Sequence, residues 1–498
     1  MATRPQPDRP RGNRGVEYAT LEGADSNFRL RAPRRPASGF LATVTSECQV
    51  EGRWLRSLPV HDVSSNGIGI AVDRTLLPGT RLENFIVRVA GTPIWTGAAE
   101  VVHADPAGHG RVGCRLIGPF LDLEQLHFHS DELASVVVPA LEDISLAEEL
   151  PANWRALVLQ YVRLFGLARV TLERAEQQQP NWRDPEISRA LCTAVHDLLM
   201  PRAHEAARML VQQADGFDES TRRIAADFSI PLIQEEYRHG EFLRRAFRKP
   251  LGYAGDYRMM EILQTAELSG ETLYGRYLDL AAQENPMGVS VRRRSELVRS
   301  ILRDACLAGP PLRVLSLACG PGMELRQLLR EVDNFASPLE IVLVDQDEEA
   351  LGACHQTLLR VIAERGDDPP VTISALHFSL RQLVSPRTAA EKSLVAEGIS
   401  GIDFLYSMGL FDYLPQPIAR RSLNALYRLL GPGGRMLIGN LQRVPESVWP
   451  MEFGADWPLV YRNQQDMLDL VSGLESEPDS VDMVRGAAHC LFLQVARG

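Results

Sequence analysis

The chain contains no run of the roughly 20 consecutive apolar residues that a membrane-spanning helix needs, so a transmembrane anchor is not expected. Its N-terminal MATRPQPDRPRGNRG has no apolar signal core, which points to a cytoplasmic location. Cysteine is sparse and unpaired in pattern: seven residues, at 48, 114, 192, 306, 319, 354 and 490, with no CxxC spacing. A disulfide framework and a structural zinc site are both excluded as expectations; no metal is assigned, and a reducing compartment fits. A basic excess is also missing, since the net charge is -11, and this argues against nucleic acid as a partner. No Ser/His/Asp constellation and no internal repeat is visible.

What remains is a long chain of ordinary composition, 498 residues with 45% apolar and 23% charged, and this length implies several cores. Residues 1–27 are rich in Arg, Pro and Gly and read as a disordered tail. Between about 28 and 122 short alternating segments such as GIGIAV, NFIVRVAG and GRVGCRLIG are punctuated by Gly and Pro, predicting a small antiparallel β-barrel. Between 123 and 300 the apolar spacing becomes helical, as in ALVLQYVRLFGLARVTLERA. From 301 to 498 buried strands alternate with helices, which predicts a mainly parallel, Rossmann-like α/β sheet.

In that last segment the strand RVLSLAC breaks into Cys319-Gly320-Pro321-Gly322, and a second strand, EIVLVDQD, ends in Asp345 and Gln346. Glycines allow close approach of a ligand to the backbone, the following helix start offers free amides, and a strand-end carboxylate can accept from both ribose hydroxyls. A dinucleotide fingerprint would need a third glycine near position 325, and GPGMEL has none. With GIDFLYSMGLFDYLP, LYRLLGPGGRMLIGNL and the closing HCLFLQVARG, the segment resembles the class I S-adenosylmethionine-dependent methyltransferases. The resemblance implies that Cys319, Gly320, Gly322, Glu324, Asp345, Gln346 and Ser379 bind the cofactor. It also implies that Ser407, Met408 and Tyr413 face the transfer site. Ser316 stands where the family usually carries an acid, so Glu324 or a residue from the GYAGDYRMM segment is expected to replace it.

GYAGDYRMM, VRRRSEL and SMGLFDYLP together look like a bacterial subfamily associated with 3-hydroxypalmitic acid methyl ester, an extracellular signal. This resemblance implies methylation of a (3-hydroxy) fatty-acid carboxylate, with Tyr253, Asp256 and Arg293 as candidate cover for acceptor or cofactor. Asp256 is equally readable as a helix cap. A carboxylic acid with a pKa near 4.3 is already ionised at neutral pH and needs no general base.

In the N-terminal segment, FRLRAPRRP carries Arg31, Arg34 and Arg35, the first and last as RxxxR, and HDVSSNGIGIAV carries Asp62, Ser64 and Gly67 as DxSxxG. The ordered pair resembles a PilZ domain, which implies cyclic di-GMP as a regulatory ligand gripped by guanidinium forks. The expectation is thus a multidomain enzyme: a PilZ-like barrel, a helical middle and a methyltransferase domain. Its ligands would be S-adenosylmethionine, cyclic di-GMP and a small-molecule acceptor. The alternatives are a catalytically inactive cyclic di-GMP effector that uses the fold to bind a partner, and methylation of another small molecule or a protein.

Overall fold

The structure, a computed structural model, describes residues 17–20, 35–37, 43–89, 91–104, 110–123, 126, 149–265 and 267–498, without the side chains of 17–20, 35–36 and 308. Contacts divide the chain into two units, one of residues 1–28, 290–442 and 460–498, the other of residues 29–289 and 443–459.

In the second unit, strands β3 (Val44–Val50), β4 (Arg53–Ser64), β5 (Gly67–Ala71), β6 (Arg81–Val89), β7 (Thr92–Ala104) and β8 (Arg111–Ile117) form a closed antiparallel barrel. Neighbours run β4-β3-β6-β7-β8-β5, and β5 pairs back onto β4 to close the ring. Strict alternation in β3 puts Val44, Cys48 and Val50 inside, as the period of two requires. Phe85 and Trp95 meet edge to face in the core. A two-residue strand, Arg35–Pro36, pairs with Val63 and Asp62 of β4.

The same unit holds the helices, among them Ala152–Gln178, Pro185–Ala214 and Glu219–Tyr237. The second starts where sequence chemistry allows, with Asp184 accepting from the amides of Glu186 and Ile187 and Pro185 at the first helical position. Their core is aromatic: Trp154 packs on Phe217, Trp449 and Phe453, and Tyr161 on Phe165 and Trp449. Segment 443–459, far along the chain, therefore completes the helical core.

The first unit is built on a mixed sheet of β9 (Leu312–Leu317), β10 (Leu339–Asp345), β11 (Val371–His377), β12 (Ile402–Ser407), β13 (Leu430–Leu441), β14 (Ser480–Ala487) and β15 (Cys490–Ala496). The order is β11-β10-β9-β12-β13-β15-β14, parallel through β13, with β15 antiparallel between β13 and β14. The mainly parallel α/β sheet is the one expected from the sequence, and the strand order and the reversed β15 add what the sequence did not specify. The strand ends where the order reverses, at β9 and β12, are where ligands of open α/β sheets bind. Glu17–Thr20, within the stretch read from sequence as a tail, adds a further parallel strand beside β11. The helix Pro286–Ala308 runs through residue 300, so no break occurs at that boundary. No described helix is long and apolar enough to cross a membrane. All seven cysteines are buried and none is joined in a disulfide.

Candidate functional site

After β9 the backbone takes three left-handed positions, at Ala318, Gly320 and Gly322, with φ of 53°, 52° and 58°. The two glycines do different work. A Cβ on Gly320 would meet no atom within 4 Å, so its face is open to a ligand. One on Gly322 would lie 2.4 Å from Cys354 Sγ, so this glycine also makes room for a buried thiol. The helix Met323–Glu331 starts directly after Gly322.

Asp345 ends β10, and its carboxylate accepts from the Gly320 amide at 3.1 Å and the Asp347 amide at 3.0 Å. A carboxylate offers about four acceptor positions, so these contacts leave capacity for a further donor. Burial pushes its carboxyl up to about 6, with the amides of Asp347 and Gly320 pulling the other way. Gln346, half-buried, gives its carbonyl to His377 Nε2 at 3.0 Å. Ser379 caps the helix Leu380–Val384 in a reciprocal box with Gln382, its Oγ 2.8 Å from Gln382 Oε1.

Glu324 is 1% exposed and accepts the Tyr406 hydroxyl at 2.7 Å. Tyr406 lies in register with Ser316 on the neighbouring strand. The carboxylate therefore reaches from the helix to the strand pair that carries Ser316. Burial raises Glu324, while the Tyr406 hydroxyl and the nearby Arg294 charge favour its ionised form. Beside it, a hydrogen bond to Cys354 together with burial holds the Cys319 thiol well above its ordinary range.

Ser407 ends β12, and the loop after it carries Met408 and Tyr413. Ser407 is fully buried, and its Oγ has no partner among the described residues; Met408 and Tyr413 are half-buried. Two arginines fasten this loop, and sequence reasoning named neither. Arg294 donates to the Met408 carbonyl at 3.0 Å and to Asp412 at 3.3 Å, and Asp412 also accepts the Leu441 amide at 2.7 Å. Arg462 donates to the carbonyls of Phe411 and Leu414 at 2.7 and 2.5 Å and to Asn440 Oδ1. Burial pushes Asp412 up to about 6 against the pull of Arg294. Arg293, the residue singled out from sequence, is exposed and pairs with Glu296 at 2.8 Å. The missed signal was helical spacing: Val291, Arg294, Val298 and Leu302 share one buried face.

In the second unit, Asp256 is fully buried, takes Arg245 Nε at 2.8 Å on both oxygens and accepts the Met259 amide at 3.1 Å, a helix-start contact. Tyr253 is half-buried beside it in sequence. Asp62 accepts from Arg111 at 2.7 Å, and Ser64 Oγ donates to the Gly67 carbonyl at 3.2 Å across the β4–β5 turn. A Cβ on Gly69 would fall 2.8 Å from the Asp62 carboxylate. The backbone of Arg35 pairs beside Asp62; Arg31 and Arg34 lie outside the described residues.

No protein-family model and no curated protein matches the chain. Similar solved structures include a possible exported protein from Bordetella parapertussis, at 16% identity over 60% of this chain and 95% of that one, with a TM-score of 0.38. Another is magnesium protoporphyrin IX methyltransferase from Synechocystis with S-adenosylhomocysteine bound, at 15% identity, 44% and 87% coverage, and a TM-score of 0.32. A third is the N-methyltransferase NodS from Bradyrhizobium japonicum, also complexed with S-adenosylhomocysteine, at 15% identity, 48% and 97% coverage, and a TM-score of 0.28. The functional reading rests on the chain's own strand order and loop geometry.

Proposed function

We propose that the protein is an S-adenosylmethionine-dependent methyltransferase that esterifies the carboxylate of a 3-hydroxy fatty acid, and that cyclic di-GMP bound by the barrel regulates it. The observation that carries this reading is the Asp345 carboxylate at the end of β10, hydrogen-bonded to Gly320 in a glycine turn with an open face.

When bound, the cofactor supplies an electrophilic methyl group on a positively charged sulfur. Asp345 would accept from its ribose hydroxyls, and the backbone at Cys319, Gly320 and Gly322 would line its methionine part. Gln346 and Ser379 would flank the adenine. Glu324 takes the place of the acid absent at Ser316 and would attract the cofactor's amino group. Ser407 at the end of β12 and Met408 and Tyr413 on the loop after it would receive the acceptor, and Arg294 and Arg462 hold that loop in place. The acceptor carboxylate is already ionised at neutral pH, so the chain's contribution is alignment and exclusion of water. For regulation, Arg35 pairs in backbone register with Val63, the neighbour of Asp62, and this supports a reading in which both parts of the cyclic di-GMP signature would grip one ligand.

One observation favours a second reading. The Glu324 carboxylate is engaged by Tyr406 inside the fold, as in an effector that keeps the architecture without the chemistry. Calorimetry of the full chain with S-adenosylmethionine separates the two: micromolar binding is expected, and a folded protein that gives no binding heat overturns the enzyme reading. Mass spectrometry of 3-hydroxy fatty acids incubated with labelled cofactor, with and without cyclic di-GMP, then tests acceptor and regulation. Methyl label found only on other acceptors moves the assignment to a different substrate.

A further inference from the structure

The helices Ala152–Gln178 and Pro185–Ala214 pack side by side, and the short connection 179–184 makes them antiparallel. Each buries one face in the helical core, yet the opposite faces are not polar. Leu159, Leu167 and Val170 stand exposed on the first helix, and Ile187, Leu198 and Met209 on the second. Eleven large apolar side chains are exposed among the described residues, and six of them sit on these two neighbours, so this is a patch and not a scatter. Steps of eight and three residues in the first helix, and of eleven and eleven in the second, return to one side at 3.6 residues per turn.

The two stripes also carry charge of opposite sign. Arg163 and Arg174 fall on the first and Glu205 on the second; all three are exposed, and none is ion-paired among the described residues. Arg202, at the margin of the second stripe, donates to the Leu198 carbonyl at 2.8 Å. A hairpin with one basic and one acidic stripe is complementary to itself: a two-fold axis along the helices lays the first helix of one copy on the second helix of the other. First helix on first helix would set arginine against arginine. From Ile187 to Met209 the patch is about 33 Å long, and two packed helices are about 20 Å wide, giving roughly 650 Å² per copy. That approaches the ~800 Å² per partner of a standard stable interface.

We propose that this face joins two copies of the chain in a four-helix bundle, first helix on second helix, with Leu167 and Leu198 at its centre and Arg163 meeting the other copy's Glu205. Removal of the apolar stripes from water drives assembly, and the charges set the orientation. The interface stands independently of the methyltransferase reading.

The test is sedimentation equilibrium of the full chain from about 0.1 to 100 µM. A dimer forms with a Kd of roughly micromolar or tighter. Leu167→Glu and Leu198→Glu, at positions 53% and 67% exposed and therefore compatible with folding, each weaken it at least about a hundredfold. Leu77→Glu, at a 68% exposed position before β6, leaves it unchanged. Arg163→Glu and Glu205→Arg each weaken the dimer about tenfold, and the two changes together restore it to within about threefold. A chain that stays monomeric throughout, or a dimer indifferent to both leucine variants, overturns the proposal and leaves the face to a different protein or to another segment of this chain. A double swap that restores nothing overturns the placement of first helix on second.

Discussion

Gly320 and Gly322 share a left-handed backbone yet differ in what an added methyl group would meet. Gly322→Ala forces a left-handed alanine and drives its Cβ into Cys354 Sγ, so the expected cost is roughly 2–4 kcal/mol. Gly320→Ala carries the backbone penalty alone, about 1–2 kcal/mol. Urea unfolding of the two variants gives the comparison, and Cys354→Ala should restore part of the Gly322→Ala loss; equal costs at both positions would contradict the assignment of the clash. At Asp345 the prediction concerns the ligand. Its carboxyl is pushed up to about 6, and only the ionised form accepts from two hydroxyls, so cofactor affinity should fall as pH drops from 7.5 to 5. Asp345→Asn should weaken cofactor binding about tenfold to a hundredfold at pH 7.5 and flatten that pH dependence. Calorimetry at the two pH values checks both statements.

The loop after β12 depends on one helix and one distant arginine. Asp412 joins Arg294 on the helix Pro286–Ala308 to the Leu441 amide on β13, and each ionic partner is almost fully buried. Arg294→Met leaves the Asp412 carboxylate buried without its countercharge, and the expected loss is about 3–5 kcal/mol. In a double-mutant cycle with Asp412→Asn the combined cost should be less than the sum, and strict additivity would show that the pair does not couple. This element also marks the limit of what the sequence discloses. The glycine turn and Asp345 are local features at a fixed spacing, readable because strand and turn chemistry act over a few residues. Glu324 stood out beside the glycine turn as a candidate acid, but its partner Tyr406 did not, because the two lie 82 positions apart and meet only when the helix packs on the sheet. Three consecutive arginines, 292–294, look alike as composition, and only the helical period distinguishes the buried one. Arg462 gave no local signal at all, since its partners gather around it only in the folded chain.

The whole chain passes between its two units repeatedly, and segment 443–459 returns to the helical one. Such a crossing leaves no mark in composition, because it depends on which segments pack together across long sequence separations. Within the helical unit Trp449 is fully buried against Trp154 and Tyr161, and Lys249, 2% exposed, pairs with Asp456 at 2.6 Å. A chain ended at residue 310 would strip Trp449 and Phe453 from Trp154 and remove Asp456 from the Lys249 ammonium. It should be readily cut by trypsin and bind apolar dyes, while the full chain resists both. Trp449→Ala in the full chain should cost about 3–5 kcal/mol in urea unfolding. A truncated chain as protease-resistant as the full one would show that the helices stand without that segment.

The seven buried cysteines have a practical consequence. Burial holds Cys48 at about 11 and Cys192 at about 12, so in the native protein few of these thiols are both ionised and accessible. A chromogenic disulfide reagent should therefore stay colourless with the native protein and report only opening events. Because Cys48 and Cys114 lie in the barrel, Cys192 among the helices, and Cys319, Cys354 and Cys490 around the mixed sheet, the order in which they react would time the opening of each part. The protein thus carries an internal stopwatch for its own breathing, with no label added.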